Sequence, residues 1–413
     1  MTHTPPARAT SFRPSTHKHF HRIAWLATAL TLCVIVFGAF VRLSDAGLSC
    51  PDWPTCYGRA AWPQAASEVV DHAASAIREF ESHKAWREQV HRHLAASLGV
   101  LVLGLALLAA RRRRFGMLQI IGASALVALA IPLYMQGHVM AALGIAALGE
   151  ALLLIAALRW SNPGSSPGQA HAPGHRSDLA NVAALTLAVV IFQALLGKWT
   201  VTMLLKPVIV MGHLLGGMLT FSLLLWMAWR ATVQPIVLVD APMLRRWTLG
   251  AIGLVGVQIA LGGWVSANYA ALACGAGGWV TEAHHYVDFP KCVGQWWPQA
   301  DFREGFVLWR GVGVDYEGGV LDGAARVAIQ LAHRVMAIAV FAYLIAFAAR
   351  LLRTPGLRGW AVALALLTCA QVALGIFNVK LALPLPVAVM HNGGAALLLF
   401  VLVSLLARLK RPD

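Results

Sequence analysis

The sequence predicts an all-α polytopic membrane protein, built as two tandem parallel four-helix-bundle repeats with an inserted transmembrane hairpin, about ten spans in all. Three observations carry this: the apolar composition, the placement of charge, and an internal repeat. Of 413 residues, 58% are hydrophobic and only 12% charged. A water-soluble chain of this length cannot bury that much apolar surface. Stretches such as 24–41, 94–110, 246–265 and 385–407 are almost free of charge, and each is long enough to cross a bilayer as a helix.

The formal net charge of +15 raises the question of nucleic acid, and the positions of the charges answer it. Arginines 111–114, Arg245, Arg246, Arg350, Arg353, Arg358 and the final "ARLKR" all stand at ends of apolar runs, whereas 14 of the 18 acids fall in 45–88 and 282–322. Basic ends on one side and acidic loops on the other follow the positive-inside rule, so the charge sets orientation and no nucleic-acid partner is expected. The protein is expected in a bacterial inner membrane, with lipid bilayer around it and both termini cytoplasmic.

The repeat orders the chain. "GAFVRLSDAGLSC" (38–50) lies on "GGWVSANYAALAC" (262–274) without a gap, "DWPTCYG" (52–58) on "DFPKCVG" (288–294), "VHRHLA" (90–95) on "AHRVMA" (332–337), and "QALLGKWTV" (193–201) on "QVALGIFNV" (371–379). Four matched blocks in one order imply a duplicated unit of four spans, whose even number keeps both copies in one orientation. The expected organisation is a polar tail (1–22), a first repeat (23–230) interrupted by a hairpin and linker (115–178), a connection (231–245), a second repeat (246–408) and a short tail (409–413). The inserted runs, about 117–136 and 139–158, precede a Gly/Pro/Ser linker. Glu150 falls in the second of them, and is read as a polar contact to a neighbouring helix or a protonated acid.

Of the six cysteines, Cys33 and Cys369 sit inside apolar spans and read as buried packing residues. Cys50, Cys56, Cys274 and Cys292 fall in the acidic loops, where an oxidising compartment makes two disulfides the expectation.

Four histidines occupy matched positions: His91, His213, His333 and His391. Each repeat offers two, on its second and fourth spans and toward the outer end. Neutral imidazoles facing one another across a helical bundle suit an iron porphyrin ligated on both faces. Zinc fits worse, because a structural site wants four ligands. "HLLGGMLT" and "HNGGAALL" put Gly-Gly soon after the histidine, which suits either a flat ring lying close to the backbone or close helix packing. Arg92 and Arg334 follow their histidines and suit carboxylate side arms of a cofactor, or the membrane interface. His93 meets Val335 in the other copy and reads as a bystander.

The copies differ at one decisive place. Glu88 stands three residues before His91, on the same helical face, and its counterpart is Gln330. A carboxylate can take or relay a proton; a glutamine cannot. One half therefore looks equipped for reaction and the other for holding a redox centre, unless Glu88 is simply a solvated acid at a helix start.

With "RLSDAGLSCPDWP", Glu-x-x-His-Arg at 88–92, "QALLGKWTV…HLLGG", "LGGWVSANYAALAC", "AHR" and "MHNGG" in hand, the chain resembles the haem A synthase family of membrane oxidases. The resemblance covers the eight repeat spans and implies an oxidoreductase that converts haem O to haem A, oxidising the C8 methyl twice so that a geminal diol loses water to leave a formyl group. It implies His91 and His213 as axial ligands of substrate haem O with Glu88 catalytic, His333 and His391 as ligands of a cofactor haem b, Arg92 and Arg334 as propionate contacts, and disulfides Cys50–Cys56 and Cys274–Cys292. It further implies haem O synthase (protohaem farnesyltransferase) as a partner and an electron partner that the sequence does not name. The inserted hairpin departs from the family's eight-helix core, as does the wide spacing of Cys274 and Cys292. Two other readings remain at this point: a two-haem cytochrome passing electrons between quinol and a partner, and a transporter, whose sites lie nearer the midplane.

Overall fold

The computed structural model describes residues 19–71, 79–161, 179–232, 234–275 and 289–412. Among these, ten helices are long and apolar enough to cross a membrane. They are α1 (Phe20–Leu43), α2 (Ser82–Ala110), α3 (Gly116–Met135), α4 (Val139–Ser161), α5 (Ala180–Thr202), α6 (Pro207–Thr232), α7 (Ala241–Ala267), α8 (Gly323–Leu352), α9 (Arg358–Lys380) and α10 (Leu385–Arg408). The protein is a multi-pass, all-helical membrane protein. Among the described residues the one sheet is a short parallel pair, β1 (Ile236–Val237) with β2 (Leu409–Lys410).

The helices close into two rings. In the first, α1 packs on α2 and α6, and α5 joins α2 to α6. In the second, α7 packs on α8 and α10, and α9 joins α8 to α10. The rings meet where α6 touches α7 and α10, and where α1 touches α10. Phe221, Leu225, Leu344, Phe347 and Leu402 fill a fully buried core shared across that seam.

The inserted α3–α4 hairpin lies outside the first ring, α3 against α2 and α4 against α5. Small residues make the hairpin tight: a Cβ on Gly149 would stand 2.7 Å from Ala123 O, so only glycine lets α4 approach α3 this closely. Two cations fix its ends. Buried Arg113 donates to Trp160 O at the foot of α4, and the Lys198 ammonium of α5 lies 3.5 Å from the centroid of the Tyr134 ring of α3.

α2 and α8 are the longest helices, 29 and 30 residues. At 1.5 Å per residue each runs about 44 Å, well beyond the ~30 Å hydrocarbon thickness. The surplus is their outer, polar end, which carries Glu88, His91 and Arg92 on α2 and Gln330, His333 and Arg334 on α8. Asp322 starts α8 by accepting from Ala325 N at 2.8 Å, which satisfies one of the free N–H groups of the first turn.

Several expected boundaries shift. α1 starts at Phe20, inside the segment read as tail, and residues 1–18 of that tail lie outside the described residues, as does the Gly/Pro/Ser linker over 162–178. α7 starts at Ala241 rather than 246, because Pro242 falls in its first turn, where the missing N–H goes unneeded, and Asp240 stands before it. The stretch from 409 is no free tail: Leu409–Lys410 pairs with Ile236–Val237. Arg245 reinforces this by donating to Leu406 O and Leu409 O at the carbonyl end of α10. Cys33 and Cys369, expected inside, are exposed on the outer faces of α1 and α9. A thiol is apolar enough for lipid, so a membrane helix does not need to hide it.

Candidate functional site

The two disulfide loops lie at one end of the bundle and shape the mouth of a single cavity. Cys50–Cys56 and Cys274–Cys292 are both bonded, over separations of 6 and 18 residues. In each loop the second cysteine bridges to the residue three further on, Cys56 to Arg59 and Cys292 to Gln295. Residues 276–288 of the second loop lie outside the described residues.

The cavity measures about 2130 Å³, roughly twice the upper end of ordinary ligand pockets. His91, His213, His333 and His391 all line it. His213 and His391 are each the seventh residue of their helix, α6 and α10, about 9 Å below its start. His91 and His213 reach the cavity from α2 and α6 of the first ring, and His333 and His391 from α8 and α10 of the second. The structure thus brings the four together as two pairs, one in each ring.

Each ring of imidazole rests on a glycine of the helix before it. A Cβ on Gly38 would stand 2.8 Å from His91 Cε1, on Gly197 3.3 Å from His213 Cε1, on Gly262 3.2 Å from His333 Cε1, and on Gly375 3.2 Å from His391 Cε1. These four glycines were not singled out from the sequence. They fall inside the matched blocks, which was the available signal. In the Gly-Gly pairs after His213 and His391, Gly216 makes room for the Gln193 side chain and Gly394 for that of Gln371, while Gly217 lines the cavity. Gln371 in turn donates to His391 O at 2.8 Å.

The two pairs are not alike. Gln258 Nε2 lies 3.1 Å from His333 Nδ1 and 3.2 Å from His333 O, holding that ring by a partner on α7. In the other copy the matching position is Val34, and His91 instead stacks beside Phe37, 6.5 Å between centroids and 22° between planes. His93 is exposed at the rim of the cavity, with Nε2 3.0 Å from Ala60 O.

Glu88 lines the same cavity and is only 5% exposed. It is not a solvated acid at a helix start. Its Oε2 accepts from Cys50 N at 2.8 Å and Ser49 Oγ at 3.2 Å, and its Oε1 from Arg92 Nη2 at 2.6 Å. Arg92 spends its other terminal N–H groups on Cys50 O, Asp52 O and Thr55 O, at 2.7 to 2.8 Å. One guanidinium therefore ties three carbonyls of the disulfide loop to the carboxylate. Gln330, at the matching place in the second ring, is 3% exposed and its Oε1 has no hydrogen-bond partner among the described residues. Among the described residues no three His, Cys, Asp or Glu side chains cluster, so a zinc site has no donor set.

The sequence matches the cytochrome oxidase assembly protein family, COX15-CtaA, over residues 21–161 and 139–403. The chain belongs to that family. Among its relatives, the heme A synthase of Shewanella oneidensis is 36% identical over 391 residues, covering 93% of this chain and 96% of the relative. The heme A synthase of Maricaulis maris is 26% identical over 411 residues, 92% and 93% of the two chains. That of Caulobacter vibrioides is 31% identical over 235 residues, 53% and 60%.

This member of the COX15-CtaA family has further polar groups at the cavity. Arg334 donates from Nη1 to Lys291 O at 3.1 Å and stands 5.3 Å from the centroid of the Phe289 ring. Glu150 of the hairpin lines the cavity too, as does Ser124, and neither Glu150 Oε2 nor Ser124 Oγ has a hydrogen-bond partner among the described residues.

The glycine cradles give a graded prediction. Gly38→Ala sets a methyl 2.8 Å from a carbon of His91, inside contact distance, so the ring must turn. Gly262→Ala meets His333 at 3.2 Å, which a small shift relieves. Gly38→Ala is expected to cut low-spin porphyrin retained by the first pair severalfold, and Gly262→Ala to alter the second pair less. Visible absorption of the purified variants checks both.

Proposed function

We propose that this protein is a haem A synthase, oxidising the C8 methyl of haem O to a formyl group by two successive hydroxylations. The observation that carries this reading is an asymmetry. Two histidine pairs face one cavity, yet a buried carboxylate stands one helical turn from the first pair and a glutamine from the second.

In this reading His91 and His213 hold substrate haem O by its iron. His333 and His391 hold haem b, whose part is to pass electrons. The donor set suits it: two imidazoles from facing helices, rings backed by Gly262 and Gly375, and one ring steered by Gln258. Arg334, at the edge of the second site, is assigned to a haem propionate. Arg92 is assigned to Glu88 and the loop, since its terminal N–H groups are all engaged there.

Glu88 is the catalytic residue. A carboxylate offers about four lone-pair sites. Oε2 takes two donors and Oε1 only Arg92, so the vacant site is on Oε1. There a proton released from the C8 methyl group as it is hydroxylated can be accepted, and a proton can be given to the departing hydroxyl as the geminal diol loses water. The Arg92 cation and the Cys50 N–H hold the carboxylate's position throughout, so little reorganisation is needed. The oxidant lies outside this chain. The protein is placed in a bacterial inner membrane with its disulfide loops on the outer side and both termini cytoplasmic, and haem O synthase is the proposed supplier of substrate.

Extraction of pigments from protein purified with and without a co-expressed source of haem O tests the reading. Haem O or haem A beside haem b is expected. Haem b at both pairs would make the protein a two-haem electron-transfer cytochrome, and a colourless protein would favour a transporter.

A further inference from the structure

The inserted hairpin has no place in the reaction described so far, yet it forms part of the same cavity. Three helices turn a stripe toward one space beside the first histidine pair. Val127 and Ile131 of α3, Ala142 and Ala146 of α4, and Leu187 and Ile191 of α5 each repeat at i and i+4, and all line the cavity that holds His91 and His213. Side chains four apart lie on one helical face. Gly149 brings α4 against the backbone of Ala123, and Lys198 of α5 meets the ring of Tyr134 of α3, so the three helices are held together around these stripes.

A side arm walled by aliphatic residues and joined to a porphyrin site suits a hydrocarbon substituent of the porphyrin. Haem O differs from protohaem by a hydroxyethylfarnesyl chain at one corner of the ring. We infer that the space between the α3–α4 hairpin and α5 is the subsite for this isoprenoid chain, and that the hairpin thereby selects haem O over tail-less haem at the first histidine pair. This rests on the haem O reading given above. It gives a role to an insertion that shares a cavity with Glu88 and touches the first disulfide loop, where Tyr134 meets Trp53, and explains why its inner face carries small residues: alanines at 142 and 146 leave room that larger side chains would fill. Apolar burial supplies the selectivity, since each methylene removed from water favours binding, while the iron ligands are shared by both haems.

The experiment compares haem O with protohaem on full-length protein whose second pair is already loaded with haem b. At the first pair, wild type is expected to retain haem O at least tenfold better than protohaem. Equal retention of the two would overturn the inference without any variant. Ala146→Trp, which fills the arm, is expected to lose that preference and admit protohaem, with haem b at the second pair unchanged as the sign of an intact fold. Ala146→Leu is expected to fall between. An undiminished preference for haem O in Ala146→Trp, with haem b retained, would also overturn it. A wild type that binds no haem O at all, or binds it and never forms haem A, would instead strike the proposed function.

Discussion

Glu88→Gln is expected to keep both porphyrin sites and lose the product. The change preserves the shape of the side chain and leaves His91 and His213 untouched. What it removes is the acceptor on Oε1, the position left vacant by Arg92, Cys50 N–H and Ser49. General acid–base catalysis contributes roughly 10² to 10⁴-fold. Haem A formed per protein should therefore fall by at least about a hundredfold, with substrate haem accumulating at the first pair. The natural comparison is built into the chain, because Gln330 already occupies this place in the second ring. The converse change, Gln330→Glu, should confer no reaction there: a glutamate alone lacks the cradle that Arg92 and the first disulfide loop supply. Pigment composition of the purified variants, read by chromatography, decides the matter. Wild-type yields of haem A from Glu88→Gln would take the carboxylate out of the mechanism.

Much of this site could be read in the sequence because duplication marks it. His91, His213, His333 and His391 stand out when the copies are overlaid, and Glu88 stands out as the mismatch. The support of those residues was less visible, for definite reasons. The strongest donor to Glu88 besides Arg92 is the Cys50 main-chain N–H, and a backbone group has no letter in the sequence. Gln258 steers His333 from a neighbouring helix 75 positions away, and nothing local links the two. The glycines under the imidazoles were ambiguous with ordinary helix packing, the other common use of glycine in membranes. Outward and inward faces were also hard to separate. In lipid both faces of a helix are apolar, so Cys33 and Cys369 looked buried although they face outward. Hydropathy also started α2 too late: its apolar run begins at 94, but the helix starts at Ser82 and its polar end carries Glu88, His91 and Arg92.

Arg92→Met is expected to damage both the outer loop and the reaction, through one broken ion pair. Side-chain exposure is 14% for Arg92 and 7% for Glu88, and their contact is 2.6 Å. Removing one partner of a buried pair leaves an uncompensated charge and costs about 3–5 kcal/mol. Three loop carbonyls, of Cys50, Asp52 and Thr55, lose their donor at the same time. The Cys50–Cys56 bond should then be reduced more readily by an added thiol, because its loop opens more often. The thermal midpoint should also fall by several degrees. Glu88→Gln combined with Arg92→Met isolates the ion pair. With both charges gone, the double variant should be less destabilised than the sum of the two single changes, the mark of residues that act together. Simple additivity would mean that the loop, and not the charge pair, sets the stability of this corner. Arg92→Lys adds a separate reading: one ammonium keeps the charge but cannot serve three carbonyls and a carboxylate from one planar fork. It should recover much of the thermal midpoint and little of the resistance to reduction, because charge compensates Glu88 while the fork is what clamps the loop.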